Sequence, residues 1–225
     1  MESRCRILDA AARVYAELGF RGATTRRIAQ AAGVNEVTLF RAFGSKEALI
    51  EAALRHHAAT TSRSRLMLPT VPEDPERELV AFATLQLAEL REHRSLIRKT
   101  MGELEERPDL APTVTAGWAE CDAVLHDYLG RLRDAGWVAG VSADDLLAAG
   151  AMLMGALFSD AMGRDMLPAL FPQPEARAPE VYVRLFLRAV ACRAAPDEPA
   201  DDEPADDEPA GPAPEAAHPQ LTTTP

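Results

Sequence analysis

The stretch Thr24–Lys46, TTRRIAQAAGVNEVTLFRAFGSK, decides the fold. It opens on two hydroxyl side chains, Thr24 and Thr25, which can accept hydrogen bonds from the free N–H groups of a helix's first turn. Ile28, Ala29 and Ala32 then mark one apolar face. Gly33 stands where that helix must stop, because glycine takes the left-handed conformation of a C-terminal cap without the steric cost of a Cβ. Val34 plugs the turn, Asn35 suits an N-cap, and a second short helix is predicted from about Glu36 to Ala42. It buries Leu39 and the neighbouring Phe43, leaving Glu36, Val37, Thr38, Phe40 and Arg41 with side chains to spare. Two short helices joined by a glycine turn make a helix-turn-helix, whose second helix commonly enters the DNA major groove. Many all-helical proteins contain such a pair without touching DNA, so the flanks matter: a three-helix unit at the N-terminus, Arg26 at the mouth of one helix and Ser45-Lys46 at the mouth of the next.

Gly19-Phe20, Thr24-Thr25, Ile28-Ala29, Ala32-Gly33-Val34, Thr38-Leu39-Phe40, Phe43 and Ser45-Lys46-Glu47-Ala48-Leu49 together resemble the N-terminal domain of TetR-family transcriptional regulators. The resemblance covers roughly Arg4 to Leu54 and is far more specific than a generic helix-turn-helix. Beyond residue 54 it is one of helical layout only. It implies an all-α fold, with an N-terminal DNA-binding domain followed by a helical ligand-binding and dimerisation domain. The family often has tyrosine where Phe40 stands and a small residue where Val37 stands. Phe40 therefore lacks a hydroxyl for phosphate, and Val37 obstructs a close backbone approach.

Outward from this stretch, helix one is expected from about Ser3 to Leu18, with Ile7, Ala11, Val14 and Leu18 on one stripe at three-and-four spacing and Gly19 ending it. Phe20, Ile28, Val34, Leu39 and Phe43 would complete a three-helix core. A fourth helix runs from Lys46 to about Met67 and reads as a connecting rod. His56 and His57, adjacent and so on different faces, read as surface residues rather than metal ligands. Pro69, Pro72 and Pro75 mark a boundary, giving a DNA-binding unit at 1–54, a connecting helix and linker at 55–75, and an effector-binding and dimerisation domain at 76–194.

From Glu76 onward every pattern is helical: Leu79 to Leu90, Leu96 to Leu104, and Trp118 to Leu132 ended by Gly136. Ser142 with Asp145 resembles a capping box that opens a helix through about Met162. This helix is apolar nearly all round and must be covered on every side, for which a second copy of the chain is the expected cover. The last helix, about Pro179 to Cys192, offers Val181, Tyr182, Leu185, Phe186, Ala189 and Val190. The two read as a four-helix dimer interface, or else as monomer core; in the resembled family they are the usual dimer helices.

Charge supports this division. The chain carries a net charge of −11, yet residues 1–57 hold nine Arg/Lys against six acids, a net of +3. The end from 195 to 225 holds nine acids and no Lys or Arg. Only the N-terminal unit has the sign that phosphate binding requires. The repeated Asp-Glu-Pro-Ala-Asp of 197–206 has too little apolar surface to order itself and reads as a disordered acidic tail. Cys5, Cys121 and Cys192 show neither a disulfide framework nor a zinc spacing, and the N-terminus lacks a signal-peptide core, so a cytoplasmic protein without a membrane span is expected.

No catalytic, cofactor or metal motif is present, which argues against an enzyme. Glu103, Glu105 and Glu106 read as a solvated helix face. For DNA, Thr24, Thr25 and Lys46 suit phosphate oxygens, while Arg26 and Arg41 suit phosphate or a guanine edge. Thr38 and Val37 suit a thymine methyl, Glu36 suits a cytosine amino group, and Asn35 and Phe40 complete the candidate surface. Phe82, Met101, Trp118, Cys121, Leu125, Met152 and Met154 are candidates for an effector cavity, and each also suits an ordinary core. The expectation is a homodimeric one-component regulator, most simply a repressor of a palindromic double-stranded operator released by a small, largely apolar effector. The alternative is a DNA-binding scaffold with no ligand response.

Overall fold

The computed structural model describes residues 2–61 and 68–192. Residues 62–67 of the anticipated connecting helix and the acidic stretch after 195 lie outside them. Among the described residues nine α-helices follow one another: α1 (Glu2–Gly22), α2 (Thr25–Ala32), α3 (Glu36–Phe43), α4 (Lys46–Thr61), α5 (Pro75–Glu92), α6 (Arg94–Glu103), α7 (Ala111–Asp134), α8 (Ala143–Gly163) and α9 (Ala178–Ala189). The extended pairing found there is a single isolated bridge between Val138 and Cys192, so the fold is all-α.

Local chemistry sets the helix ends. The Thr24 side chain accepts from the Arg27 N–H, and Gly33 follows α2 in the left-handed conformation at φ 66°. Asn35 accepts from the Val37 N–H to start α3. Asp74 and Pro75 open α5 in the same manner, and Ser142 opens α8 by accepting from Asp145. Each such cap is worth about 1 kcal/mol of helix stability. Helix α1 departs from expectation at its end: Gly19 breaks it at φ 69°, but a further turn continues to Gly22. Leu18, anticipated as the last core residue of its stripe, is 46% exposed because the helix leaves the core at this break. Helix α9 stops at Ala189, short of Cys192.

The side chains sort into two hydrophobic clusters. One unites Ile7, Tyr15, Ile28 and Leu39 with Leu49 and Ile50 of α4 and with Leu96 and Leu110 from further along the chain. The first half of α4 is therefore core rather than rod. Helix α6 also packs along α1, so a segment from beyond the proline boundary helps to support the helix-turn-helix. The other cluster gathers Phe82, Leu87, Leu125, Tyr128, Leu153, Leu157 and Val183 from α5, α7, α8 and α9.

Helix α8 is 21 residues long with a mean hydropathy of 1.5, enough by length and composition to cross a membrane. Its packing is that of a core helix on one side, where Leu146, Leu153, Met154 and Leu157 are buried against α5, α7 and α9. The other side, Leu147, Ala148, Ala151, Met152 and Gly155, is exposed in the single chain.

Candidate functional site

Helix α3 is anchored by Leu39, 1% exposed, and turns Val37 and Phe40 outward at 71% and 49%. Thr38 and Arg41 are also exposed. On the short helix before it, Thr24 and Arg26 are exposed at and beside the N-cap. Hydroxyl, cationic and apolar groups thus crowd an open helix face, the mixture needed to touch phosphates and base edges together.

Four of the anticipated contact residues, Thr25, Glu36, Lys46 and Asn35, have other work in the folded chain. The Thr25 hydroxyl donates to the Glu36 carboxylate, tying the start of α2 to the start of α3. That bond draws Glu36 into a half-buried position and leaves it less available to a cytosine. Lys46 donates from Nζ to the Phe20 carbonyl at 3.0 Å and lies 4.0 Å from the centre of the Phe20 ring. Its charge therefore closes the end of α1, leaving only part of its donor capacity for phosphate. Asn35 is the N-cap of α3. Arg4, at 4.4 Å from the Phe43 ring centre, braces the far end of α3.

The break at Gly19 has a partner from α6. It frees the Phe20 N–H from the helical ladder, and Glu103 accepts that N–H at 2.8 Å while its other oxygen accepts the Tyr15 hydroxyl, also at 2.8 Å. A Cβ on Gly19 would come within 2.6 Å of the same carboxylate. Glu103 is accordingly no solvated face residue but a joint between α1 and α6. Burial first, and then the Glu103 bond, raise the Tyr15 hydroxyl above its ordinary range, so it remains a donor at every physiological pH. Arg107, just past α6, lies 4.2 Å from the Phe20 ring centre and adds a second cation to the same ring.

Helix α6 is also a wall of a cavity of about 340 Å³ bounded by α4, α5, α7 and Phe158 of α8. Of the residues named for an effector cavity, Met101, Trp118 and Cys121 lie in its lining. Phe82, Leu125 and Met154 do not: they are almost fully buried in the neighbouring core. Met152 is 74% exposed on the open side of α8, because the helix turns that face away from the cavity.

The lining groups that were missed include apolar ones, such as Leu54, Leu96, Ile97 and Phe158, and polar ones, Gln86, Glu89, His57 and His93 among them. His57 is thus not a surface residue; its Nε2 lies 2.8 Å from Nδ1 of His93, one ring supplying the N–H. Burial first, then His93, lowers the His57 pKa to about 4, so it is uncharged at neutral pH. The signal was faint, since the rings are 36 positions apart and meet only through packing. No group of three or more metal-ligating side chains is found among the described residues.

A buried ionic hub fixes the other end of this region. Asp160, fully buried, accepts from Arg91 at 2.8 Å, from Arg164 Nε at 2.7 Å and from the Tyr182 hydroxyl at 2.8 Å. Burial opposes its charge, but Arg164, Arg91 and Tyr182 outweigh that and hold its pKa below the usual carboxylate range. Arg98 of α6 grips Asp165 at 2.6 and 3.0 Å, so α6 is held to the end of α8 as well as to α1.

Comparison with known proteins agrees with the helix-turn-helix. The profile described as bacterial regulatory proteins, tetR family, matches residues 7–53. The HTH-type transcriptional regulator YvkB of Bacillus subtilis is 32% identical over 131 residues, 58% of this chain and 68% of that protein. The HTH-type transcriptional repressor AcnR of Corynebacterium glutamicum is 41% identical over 152 residues, with 59% of this chain and 78% of AcnR covered. Among solved structures, the fatty acid degradation regulator FadR of Bacillus halodurans superposes with a TM-score of 0.66 at 22% identity, covering 86% of this chain and 98% of that one. Salmonella enterica GusR gives 0.66 at 23%, covering 85% and 96%. With its N-terminal helix-turn-helix and helical C-terminal region, the chain belongs to the tetR family of bacterial regulatory proteins and is a DNA-binding transcriptional regulator rather than an enzyme.

Proposed function

We propose that this regulator is a cytoplasmic homodimeric repressor whose two α3 helices read the half-sites of a palindromic operator, and whose hold on DNA is released by a small, largely apolar molecule. The observation that carries the DNA reading is the anchoring of α3 by Leu39 while Val37, Thr38, Phe40 and Arg41 remain open. Thr24, Arg26 and the N-terminus of α2 supply phosphate contacts, with Lys46 and Thr25 contributing chiefly by holding the unit in shape. Repression is the activity named for AcnR. Dimerisation is supported by the uncovered apolar side of α8, with exposed Leu185 on α9. The reading unit is residues 1–54, joined through 55–75 to a sensing and dimerising region at 76–194, with 195–225 as a tail.

Release follows from the cavity. A ligand that prefers one position of α6 shifts the population toward it, and Glu103 carries that preference to α1. Selection of bound DNA from a random pool tests the reading. The expected product is a palindrome or near-palindrome with half-sites separated by about one helical turn or more. A single asymmetric half-site would overturn the dimer, and no enrichment would overturn the operator reading.

A further inference from the structure

The cavity lies at a seam between the two hydrophobic clusters. Leu54 and Leu96 of its wall belong to the cluster that holds the helix-turn-helix, whereas Leu90 and Cys121 belong to the cluster of α5, α7, α8 and α9. Helix α6 brings Leu96, Thr100 and Leu104 to this seam, a stripe of side chains one turn apart. The middle one is polar, and it is only 2% exposed.

The Thr100 hydroxyl has one proton to give and two oxygens to give it to. It donates to the Leu96 carbonyl, one turn back, at 2.7 Å. It also acts on the Tyr15 phenol: burial first and then Glu103 raise the Tyr15 pKa, and the Thr100 hydroxyl pulls it back down. Tyr15 in turn donates to Glu103 at 2.8 Å, which leaves its oxygen with lone pairs to accept. Glu103 stands one turn beyond Thr100 on the same side of α6, so both face α1. From Glu103 the contacts continue toward the reading helix. Its other oxygen accepts the Phe20 N–H at 2.8 Å, the Phe20 carbonyl accepts Lys46 Nζ at 3.0 Å, and Lys46 opens α4 just after the Gly44 cap of α3.

A threonine in a helix has two accessible χ1 rotamers where valine has one. A ligand that fills the seam packs against Thr100 and favours whichever rotamer leaves it room. The Tyr15 phenol then gains or loses a donor, and its bond to Glu103 strengthens or weakens with it.

We propose that Thr100 is the positioning residue through which occupancy of the cavity reaches the helix-turn-helix, its hydroxyl acting by way of Tyr15 and Glu103. This rests on the reading of the cavity as the effector site and names the side chain that reports its contents.

The test uses decan-1-ol, an uncharged apolar probe, titrated calorimetrically into the full-length wild type, Thr100→Val and Thr100→Ser. Affinity for the selected operator is measured with and without the probe. Valine keeps the shape and removes the hydroxyl; serine keeps the hydroxyl. All three proteins should bind decan-1-ol with similar Kd. The probe should weaken operator binding by about tenfold or more in the wild type and in Thr100→Ser, but by less than about threefold in Thr100→Val. Hydrogen exchange at the Phe20 amide should change with the probe in the wild type and stay still in Thr100→Val. A purely structural role would lower the melting temperature without altering that ratio. A Thr100→Val protein that kept the full response, or a probe that bound the wild type without altering its operator affinity, would overturn the role of Thr100 and leave the cavity as a ligand site. No binding to the wild type would overturn the cavity reading and this inference with it. Should Thr100→Val not fold, Phe20 exchange in the wild type decides: a rate unchanged by bound probe would overturn the proposal.

Discussion

Glu103 and Tyr15 meet across 88 positions of sequence, the carboxylate accepting the hydroxyl at 2.8 Å. The same carboxylate holds the Phe20 N–H, so the helix that walls the cavity and the helix that supports the DNA-reading unit share one acceptor. A movement of α6 cannot leave α1 untouched unless these bonds break. Tyr15→Phe and Glu103→Gln should each lower stability, by about 1–2 kcal/mol for a half-buried bond to a charged group. In a double-mutant cycle their effects should be non-additive by about 0.5–1.5 kcal/mol, measured by urea unfolding. Strict additivity would mean that the contact carries no coupling.

The open face of α3 predicts a division of labour among side chains. Arg26→Ala should weaken binding to all sequences about equally and flatten the salt dependence by roughly one unit of slope. Arg41→Ala and Thr38→Ala should instead change preference at particular base pairs, at about 1–3 kcal/mol each. All three residues are exposed, so melting temperatures should stay close to wild type. Leu39→Ala removes the 1%-exposed anchor and should cost about 2–5 kcal/mol of stability. Binding curves at several salt concentrations, beside thermal melts, separate the two kinds of effect.

What was legible in the sequence was local. Thr24, Asn35 and Ser142 announce helix starts because a cap oxygen and the N–H that donates to it lie within three residues of one another, and Gly33 announces a stop because its own backbone conformation is the signal. The exposed side of α3 followed from the same short-range geometry. The joint at Glu103, the His57–His93 pair and the meeting of Asp160 with Arg91 and Tyr182 did not, since each joins groups separated by tens of residues whose meeting depends on how helices pack. Lys46 shows the boundary between the two. Its place at the mouth of α4 was readable, but its bond to the Phe20 carbonyl depends on the broken end of α1. Met152 was misassigned for a related reason: on a helix apolar all round, periodicity does not say which side faces the cavity and which faces away.

Asp160 gathers Arg91, Arg164 and Tyr182 in a fully buried position. Asp160→Asn keeps the volume but leaves Arg164 without its carboxylate and Arg91 with Glu175 alone, and should cost about 3–5 kcal/mol at neutral pH. Because the folded-state pKa is depressed, the wild type gains stability from this carboxylate above the unfolded value of about 4 and loses it as pH falls through the folded value. The gap in stability between wild type and variant should therefore be full at pH 6–7 and shrink progressively below about pH 4. A gap that stayed constant through acid unfolding would show that the charge of Asp160 is not what the hub uses.

The uncovered side of α8 gives the sharpest test of assembly. Met152 and Leu147 are 74% and 47% exposed in the single chain, and Leu185 on α9 is 55% exposed. A side chain already in water in the protomer contributes little to its fold, whereas one buried against a second copy contributes to association by roughly 25 cal/mol per Å² of apolar surface. Met152→Asp should therefore leave helicity intact yet place two carboxylates at or near a two-fold axis, where their mutual repulsion and desolvation oppose the dimer. Sedimentation at micromolar concentration should then find monomer where the wild type gives dimer. Affinity for a full palindrome should drop toward that for an isolated half-site, because the second contact is no longer tethered to the first. A Met152→Asp protein that remained dimeric and bound the full operator as tightly as wild type would place the interface elsewhere and leave this apolar face unexplained by self-association.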